Sequence, residues 1–469
     1  MTDYRNRTFA EIDVGESASI SHALTATDVE ALALASGDVE PLHLADVGGA
    51  SMQRTSVQGA ASVALIAGLL SRRLPGPGSA IVGTRLSYSG MLRVGDTLTA
   101  TATARSKDLA THSVEFECRC VNQMGDVLVE GTATVTASTE RIAYSNLATP
   151  ELILRRNDGF AKLFQACQGL PPVICAIVHP CDRDSLLGSI EAAKLGLIVP
   201  VLVGPEAKIR AVADAEGVDL APYRIVATEH SHAAADQAVA MARNGEVESL
   251  MKGSLHTDEL MAAVVATATG LRTDKRISHV FVMDVPAYPR MLLVTDAAVN
   301  IAPDLECKAG ICQNAIALAH VLGIAEPKVA ILSAVETVTP KIPSTIDAAA
   351  LCKMADRGQI SGALLDGPLA LDNAISEGAA KIKAIVSPVA GHADILLVPD
   401  LEAGNILAKQ LQYLAGAESA GIVLGARVPI ALASRADSVR SRLASAALLK
   451  LVARSPRGVS AKPGTSAPT

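Results

Sequence analysis

The chain has 469 residues, 49% of them hydrophobic but only 2% aromatic, with no tryptophan. Its formal net charge is −7. So few aromatic platforms and a net negative charge argue against a nucleic-acid partner or an anionic membrane surface, and the length calls for two or three domains whose cores are built from Ala, Val, Leu and Ile.

The N-terminal "MTDYRNRTFAEID" has no apolar h-region, and no apolar run reaches bilayer length. A cytoplasmic protein without signal or span is the expectation. The eight cysteines form no CxxC pair, so they read as free thiols.

The first chemistry-bearing stretch is "GDVEPLH", with Asp38 and His43 either side of Pro41. A carboxylate and an imidazole on one side of a substrate can activate water and deliver a proton. From spacing alone, the commoner outcome is a structural turn, with Asp38 as a cap and His43 packed in a core.

Then comes "SVQGAASVALIAGLLSRRL" (Ser56–Leu74), apolar almost all round and stopped by "PGPG". It predicts a buried helix. Four alternating segments follow: "SAIVGTRLSYSG", "DTLTATATARSKD", "THSVEFECRCVNQMGD" and "VLVEGTATVTAS". They predict an antiparallel meander wrapped round that helix. Residues 138–157 turn polar and read as a linker between a domain of residues 1–137 and one of residues 158–454. Residues 455–469, rich in Ser, Pro and Gly, read as a disordered tail.

Within residues 158–454 eleven short apolar runs alternate with helical stretches: "VICAIVH", "IVPVLVG", "YRIVAT", "SLMKG", "HVFVMDV", "MLLVTDA", "KVAILSAV", "GALLDG", "ILLVPD", "GIVLGA" and "VPIALAS". This rhythm predicts a largely parallel sheet covered on both faces and divided into two subdomains around a cleft. Loops following strands carry the polar groups. "SLMKGSLHTDEL" offers Lys252, Gly253, Ser254, His256 and Thr257 at a strand–helix junction, a ready anion site, although a capped helix with a solvated lysine fits the pattern as well. "TDAAVNIAPD" offers Asp296 and Asn300, and "ALASRADS" offers Ser434, Arg435 and Asp437. All these loops are expected to gather at the carboxyl ends of the strands. His230 and His232 lack a third neighbour in sequence, so no metal site is expected.

Two resemblances sharpen this reading. "ALASGDVEPLHLAD" with the stretch running from Gly59 to Ala104 resembles the MaoC-like (R)-specific enoyl-CoA hydratases. That likeness implies an α+β hot-dog domain, with Asp38 and His43 as the catalytic pair and the Gly59 N–H holding a thioester oxygen. Glu40 stands where the family has Asn, and Gln58 where it has His. A non-catalytic CoA-ester-binding or dimerisation module is the alternative.

"MKGSLHTD", "TDAAVNIAPDL", "DGPLALDNAIS", "SPVAGHADILLVPDLEAGNIL" and "SRADS" resemble consecutive blocks of the phosphate acetyl/butyryltransferases, with a lean towards the butyryl branch. The likeness implies an isocitrate-dehydrogenase-like α/β fold of two subdomains, one of them combining roughly residues 150–272 with 421–454. It implies acyl-CoA, CoA and phosphate as ligands, no cofactor, and a homo-oligomer, dimer or higher. Arg435 would bind phosphate and Ser434 the oxyanion or sulfur. The acetyl branch has an Asp seven residues after that Ser. Here Ser441 stands there, and the nearest acid, Asp437, is the candidate catalytic base.

Overall fold

The computed structural model describes residues 2–37, 59–90, 92–147, 160–433 and 438–455. Contacts divide the chain into two compact units, residues 1–155 and 156–469.

The first unit contains strands β1 (Thr2–Arg5), β2 (Ser17–Ala23), β3 (Ala80–Tyr88), β4 (Thr97–Asp108), β5 (Ser113–Val121), β6 (Val127–Thr136) and β7 (Ala143–Leu147). Five of them form one antiparallel sheet in the order β2-β4-β5-β6-β3. Alternation in sequence explains which face it buries. Leu98, Ala100, Ala102 and Ala104 of β4, and Val114, Phe116, Cys118 and Cys120 of β5, all point into one core. Ile66, Leu69 and Leu70 of helix Ala60–Arg72 fill that core from above. The alanines of β4 are small enough to admit it. This is the hot-dog arrangement of sheet and central helix.

The stretch 138–157 is more than a linker. Its residues Ala143–Leu147 form β7, which pairs antiparallel with β1. The polar composition hid a strand because a two-stranded ribbon on the surface needs no apolar face.

The second unit holds one unbroken sheet of eleven strands. They are β8 (Val173–Val178), β9 (Ile198–Gly204), β10 (Arg224–Ala227), β11 (Ser249–Lys252), β12 (Ser278–Asp284), β13 (Leu292–Thr295), β14 (Lys328–Leu332), β15 (Leu364–Leu369), β16 (Ile395–Leu397), β17 (Glu418–Leu424) and β18 (Ile430–Ala431). Each of the eleven apolar runs became one strand. The order is β10-β9-β8-β11-β18-β17-β12-β13-β16-β14-β15. β17 and β18 return to the first half, as the resemblance implied for residues 421–454.

Successive residues feed opposite faces. Cys175 and Ile177 join a core with helices Arg183–Lys194, Leu305–Val321 and Val439–Arg454, while Ala176 and Val178 join another with helices Ser231–Arg243 and Thr257–Val265. The sheet is parallel within β10-β9-β8-β11-β18 and within β13-β16-β14-β15. Between them, β18–β17, β17–β12 and β12–β13 are antiparallel.

All eight cysteines are free. No helix among the described residues is long and apolar enough to cross a membrane.

Phe116 is fully buried in the core of the first unit. Phe116→Ala should lower the stability of that unit by about 3–5 kcal/mol, measured by denaturant unfolding.

Candidate active site

Three strands that are neighbours in the sheet, β8, β11 and β18, run parallel and end on the same rim. Adjacent strands lie about 4.8 Å apart, so groups leaving β8 and β18 stand roughly 10 Å from each other with β11 between.

The loop leaving β11 is fastened to the loop leaving β8. Gly253 N donates to Val178 O (2.9 Å) and Ser254 N to His179 O (2.9 Å). A Cβ on Gly253 would stand 2.5 Å from both the Val178 and the His179 carbonyl oxygens, so only glycine permits this approach. Ser254 Oγ lies 2.9 Å from His179 O, 2.9 Å from His179 Nδ1 and 3.3 Å from Cys181 N.

Lys252 is 3% exposed, which rules out the solvated lysine. Its Nζ donates to the carbonyls of Gly253 (3.3 Å) and Leu255 (2.9 Å), so part of its capacity shapes its own loop. Arg442, buried in helix Val439–Arg454, donates from Nη1 to Lys252 O (3.4 Å). The last helix is thereby tied to the Lys252 loop.

His256 is exposed and precedes helix Thr257–Val265, which Thr257 opens. The helix start differs from a vacant anion site. His256 N donates to Glu259 Oε1 (3.4 Å), so a carboxylate of the same helix already serves its first turn. A hydrogen bond from Ser231 holds the Glu259 carboxyl below its ordinary range, with the His256 backbone and the His232 ring adding to it. His230 caps its own helix through Nδ1 and Ala233 N (3.2 Å). Among the described residues no cluster of His, Cys, Asp and Glu is arranged to hold a metal.

Cys181 shares this rim. Burial pushes its thiol up to about 11, well above neutrality. His179 moves the other way: burial, and then the Lys208 cation, hold its ring below its ordinary value. His179 follows the apolar run of β8 directly. The sequence places it at the end of the apolar run "VICAIVH", where no motif singles it out for a role.

Asp296 and Asn300 lie elsewhere. They follow β13, whose direction is opposite to that of β11, so they sit on the other rim. One gathering of all the loops was expected. The antiparallel strands β17 and β12 make it two. Asp296 is 2% exposed and closes its own loop. Its Oδ1 accepts from the N–H groups of Ala298 (2.9 Å) and Val299 (3.0 Å), and its Oδ2 from Asn300 N (3.2 Å) and Asn300 Nδ2 (2.5 Å).

Gly59 opens helix Ala60–Arg72 in the first unit. A Cβ there would stand 2.1 Å from the Tyr88 ring, so a side chain at this helix start would require that ring to move. The "VGD" turn is structural: buried Asp96 accepts from Arg93 N (2.8 Å) and Gln123 Nε2 (3.0 Å). Asp38, Glu40, His43 and Gln58, and likewise Ser434, Arg435 and Asp437, lie outside the described residues. Ser441 is described: its N–H donates to Ser438 Oγ (3.2 Å) at the start of the last helix.

Residues 223–449 match the family described as Phosphate acetyl/butaryl transferase. A phosphate acetyltransferase of Rhizobium meliloti is 64% identical over 294 residues, which are 63% of this chain and 93% of that protein. A phosphate butyryltransferase of Clostridium beijerinckii is 40% identical over 294 residues, 63% of this chain and 97% of that one. The expected lean towards the butyryl branch therefore does not hold against these two. Among solved structures, a branched-chain phosphotransacylase from Enterococcus faecalis V583 matches with TM-score 0.53 at 30% identity, covering 60% of this chain and 99% of that one.

The clasp at Gly253 gives a direct check. Gly253→Ala places a methyl against two backbone oxygens that cannot swing aside. The expected cost is about 1–3 kcal/mol in denaturant unfolding, as for overpacking of a core.

Proposed function

Because this chain belongs to the phosphate acetyl/butyryl transferase family, we propose that its second unit moves a short acyl group between coenzyme A and inorganic phosphate. The observation that carries this reading to a place in the molecule is the pairing of β11 with β18, Met251 opposite Ala431. It puts the Lys252–Ser254 loop beside the strand from which Ser434 and Arg435 follow.

The reaction is a displacement at a thioester carbonyl. Phosphate is already anionic, so the site has to hold it, aim it and stabilise the tetrahedral oxyanion. Arg435 supplies the planar fork that suits two phosphate oxygens, and Ser434 a hydroxyl for the oxyanion or the sulfur. A covalent relay through Cys181 finds no support. With its thiol pushed up to about 11, it offers no thiolate near neutral pH.

The assay is phosphate-dependent release of CoA thiol across an acyl-CoA panel. Arg435→Ala should raise KM for phosphate and lower kcat/KM by about 100-fold, the scale of one charge-assisted bidentate contact and its transition-state share. Unchanged phosphorolysis by that variant would refute the role given to Arg435.

A second reading concerns the first unit, and one observation favours it. The Tyr88 ring packs against Gly59, and this N-cap residue supplies no side-chain cap to the helix start, which suits a backbone N–H left for a thioester oxygen. With Asp38 and His43 as the proton-transfer pair, this unit would hydrate an enoyl-CoA. Glu40 lies between the two in sequence. Purified protein should hydrate crotonyl-CoA, and Asp38→Ala should reduce kcat by about 100-fold or more. Absence of hydration by the native chain leaves the CoA-ester-binding or dimerisation module as the reading of this unit.

A further inference from the structure

The proposed transfer needs a proton carrier, and the position seven residues after Ser434 holds Ser441, which cannot titrate in the required range. Asp437 lies outside the described residues, and among those described His179 is the group on this rim whose ring is free to take a proton. Its backbone has φ 58°, a left-handed conformation uncommon for a residue with a Cβ. The surroundings hold it there. His179 N donates to Val203 O (2.7 Å), and its carbonyl accepts from Cys181 N (2.9 Å) and Ser254 N (2.9 Å). A residue kept in a strained conformation by its neighbours is a reason to look for a function.

The ring is held as well. Nδ1 lies 2.9 Å from Ser254 Oγ, and that hydroxyl has the His179 carbonyl 2.9 Å away to receive its own proton. Ser254 Oγ can therefore accept from Nδ1–H, both in the neutral ring and in the imidazolium. Among the described residues Nε2 has no hydrogen-bond partner, and the side chain is half-buried. Three charged groups face the ring: Lys208 from helix Glu206–Glu216, Asp182 from its own loop and Glu259 from helix Thr257–Val265.

Resting on the transferase reading, we propose that His179 is the proton carrier of the acyl transfer and that Ser254 is its positioning residue. As a phosphate oxygen bonds to the acyl carbon, Nε2 takes the proton that oxygen carried. As the carbon–sulfur bond breaks, Nε2 returns the proton to the sulfur. The products are acyl phosphate and the CoA thiol, with no net proton released by the relay. In reverse, Nε2 takes the thiol proton of CoA.

Burial and Lys208 outweigh the two carboxylates and lower the ring's pKa from its ordinary 6.5, so the ring is neutral at neutral pH and able to accept. The rate of acyl-phosphate formation should then fall as pH drops through that lowered value, when the ring becomes protonated.

The test uses the full chain, acetyl-CoA and inorganic phosphate, with His179→Gly, His179→Gln and Ser254→Ala. Glycine accepts φ 58° without strain, so His179→Gly should keep its fold, checked by its unfolding midpoint. The expected result is a loss in kcat of about 100-fold or more in both His179 variants, with KM for phosphate little changed. The acid limb of the pH–rate profile should vanish in both, and added imidazole should restore part of the activity of His179→Gly. Ser254→Ala should displace the acid limb without changing KM. Near-normal kcat in the folded His179 variants, or an acid limb that persists in them, overturns the assignment. So does the absence of rescue by imidazole in a folded His179→Gly. A native chain that releases no CoA with phosphate overturns the transferase reading itself, a different failure from variants as active as an active parent.

Discussion

Everything in the second unit depends on the antiparallel pairing at the middle of its sheet. β17 against β18, β12 against β17 and β13 against β12 reverse the chain between two parallel halves. Carboxyl ends of strands are where loops and helix starts present polar groups. A reversal therefore sorts those loops onto two rims. β8, β11 and β18 put theirs together on one rim, and β13, β14, β15 and β16 put theirs on the other. A uniformly parallel sheet would have crowded them all at one edge.

On the first rim, short backbone contacts carry the geometry. The absence of a Cβ at Gly253 lets two loops touch through N–H and C=O groups, and that contact sets Ser254 Oγ against His179. Arg442 reaches the same loop from the last helix. The loop is thus fixed from two sides, by the neighbouring strand and by the helix that follows "SRAD". Fixed dipoles need no reorganisation when charge develops, which is what a displacement at a thioester asks for.

Much of this was legible in the sequence, and the reasons are specific. Eleven apolar runs became eleven strands because a strand covered on both faces must be apolar throughout, as "VICAIV" and "IVPVLVG" are. The hot-dog core was legible in the period-two pattern of Thr97–Asp108 and Ser113–Val121. Direction was not legible, because an apolar run reads the same in a parallel or an antiparallel ladder. β7 was missed, because "AYSNL" has no apolar face to announce it. Among site residues, Lys252, Gly253 and Ser254 were found through their place at a strand end. Asp296 and Asn300 were found by the same rule, yet their polar groups serve each other. Glu259 was missed as the partner of its helix start, although its place three residues after His256 is the spacing of a capping box.

The chain carries 48 acidic residues against 41 basic ones, and a phosphate site must keep the excess away. Two acids near the first rim have partners of their own. Asp182 Oδ1 accepts from the N–H of Ser185 (2.7 Å) at a helix start. Glu259 takes Ser231, the His256 backbone and the His232 ring. Cys181 stays a thiol and His179 stays neutral, so neither adds negative charge near neutral pH. A dianion approaching this rim meets hydroxyl, amide and cation, with Asp182 and Glu259 each drawn to the N–H groups of its own helix start. The same burial that keeps the Cys181 thiol protonated lowers the His179 ring. One desolvated corner thus removes a competing nucleophile and leaves a neutral base in place.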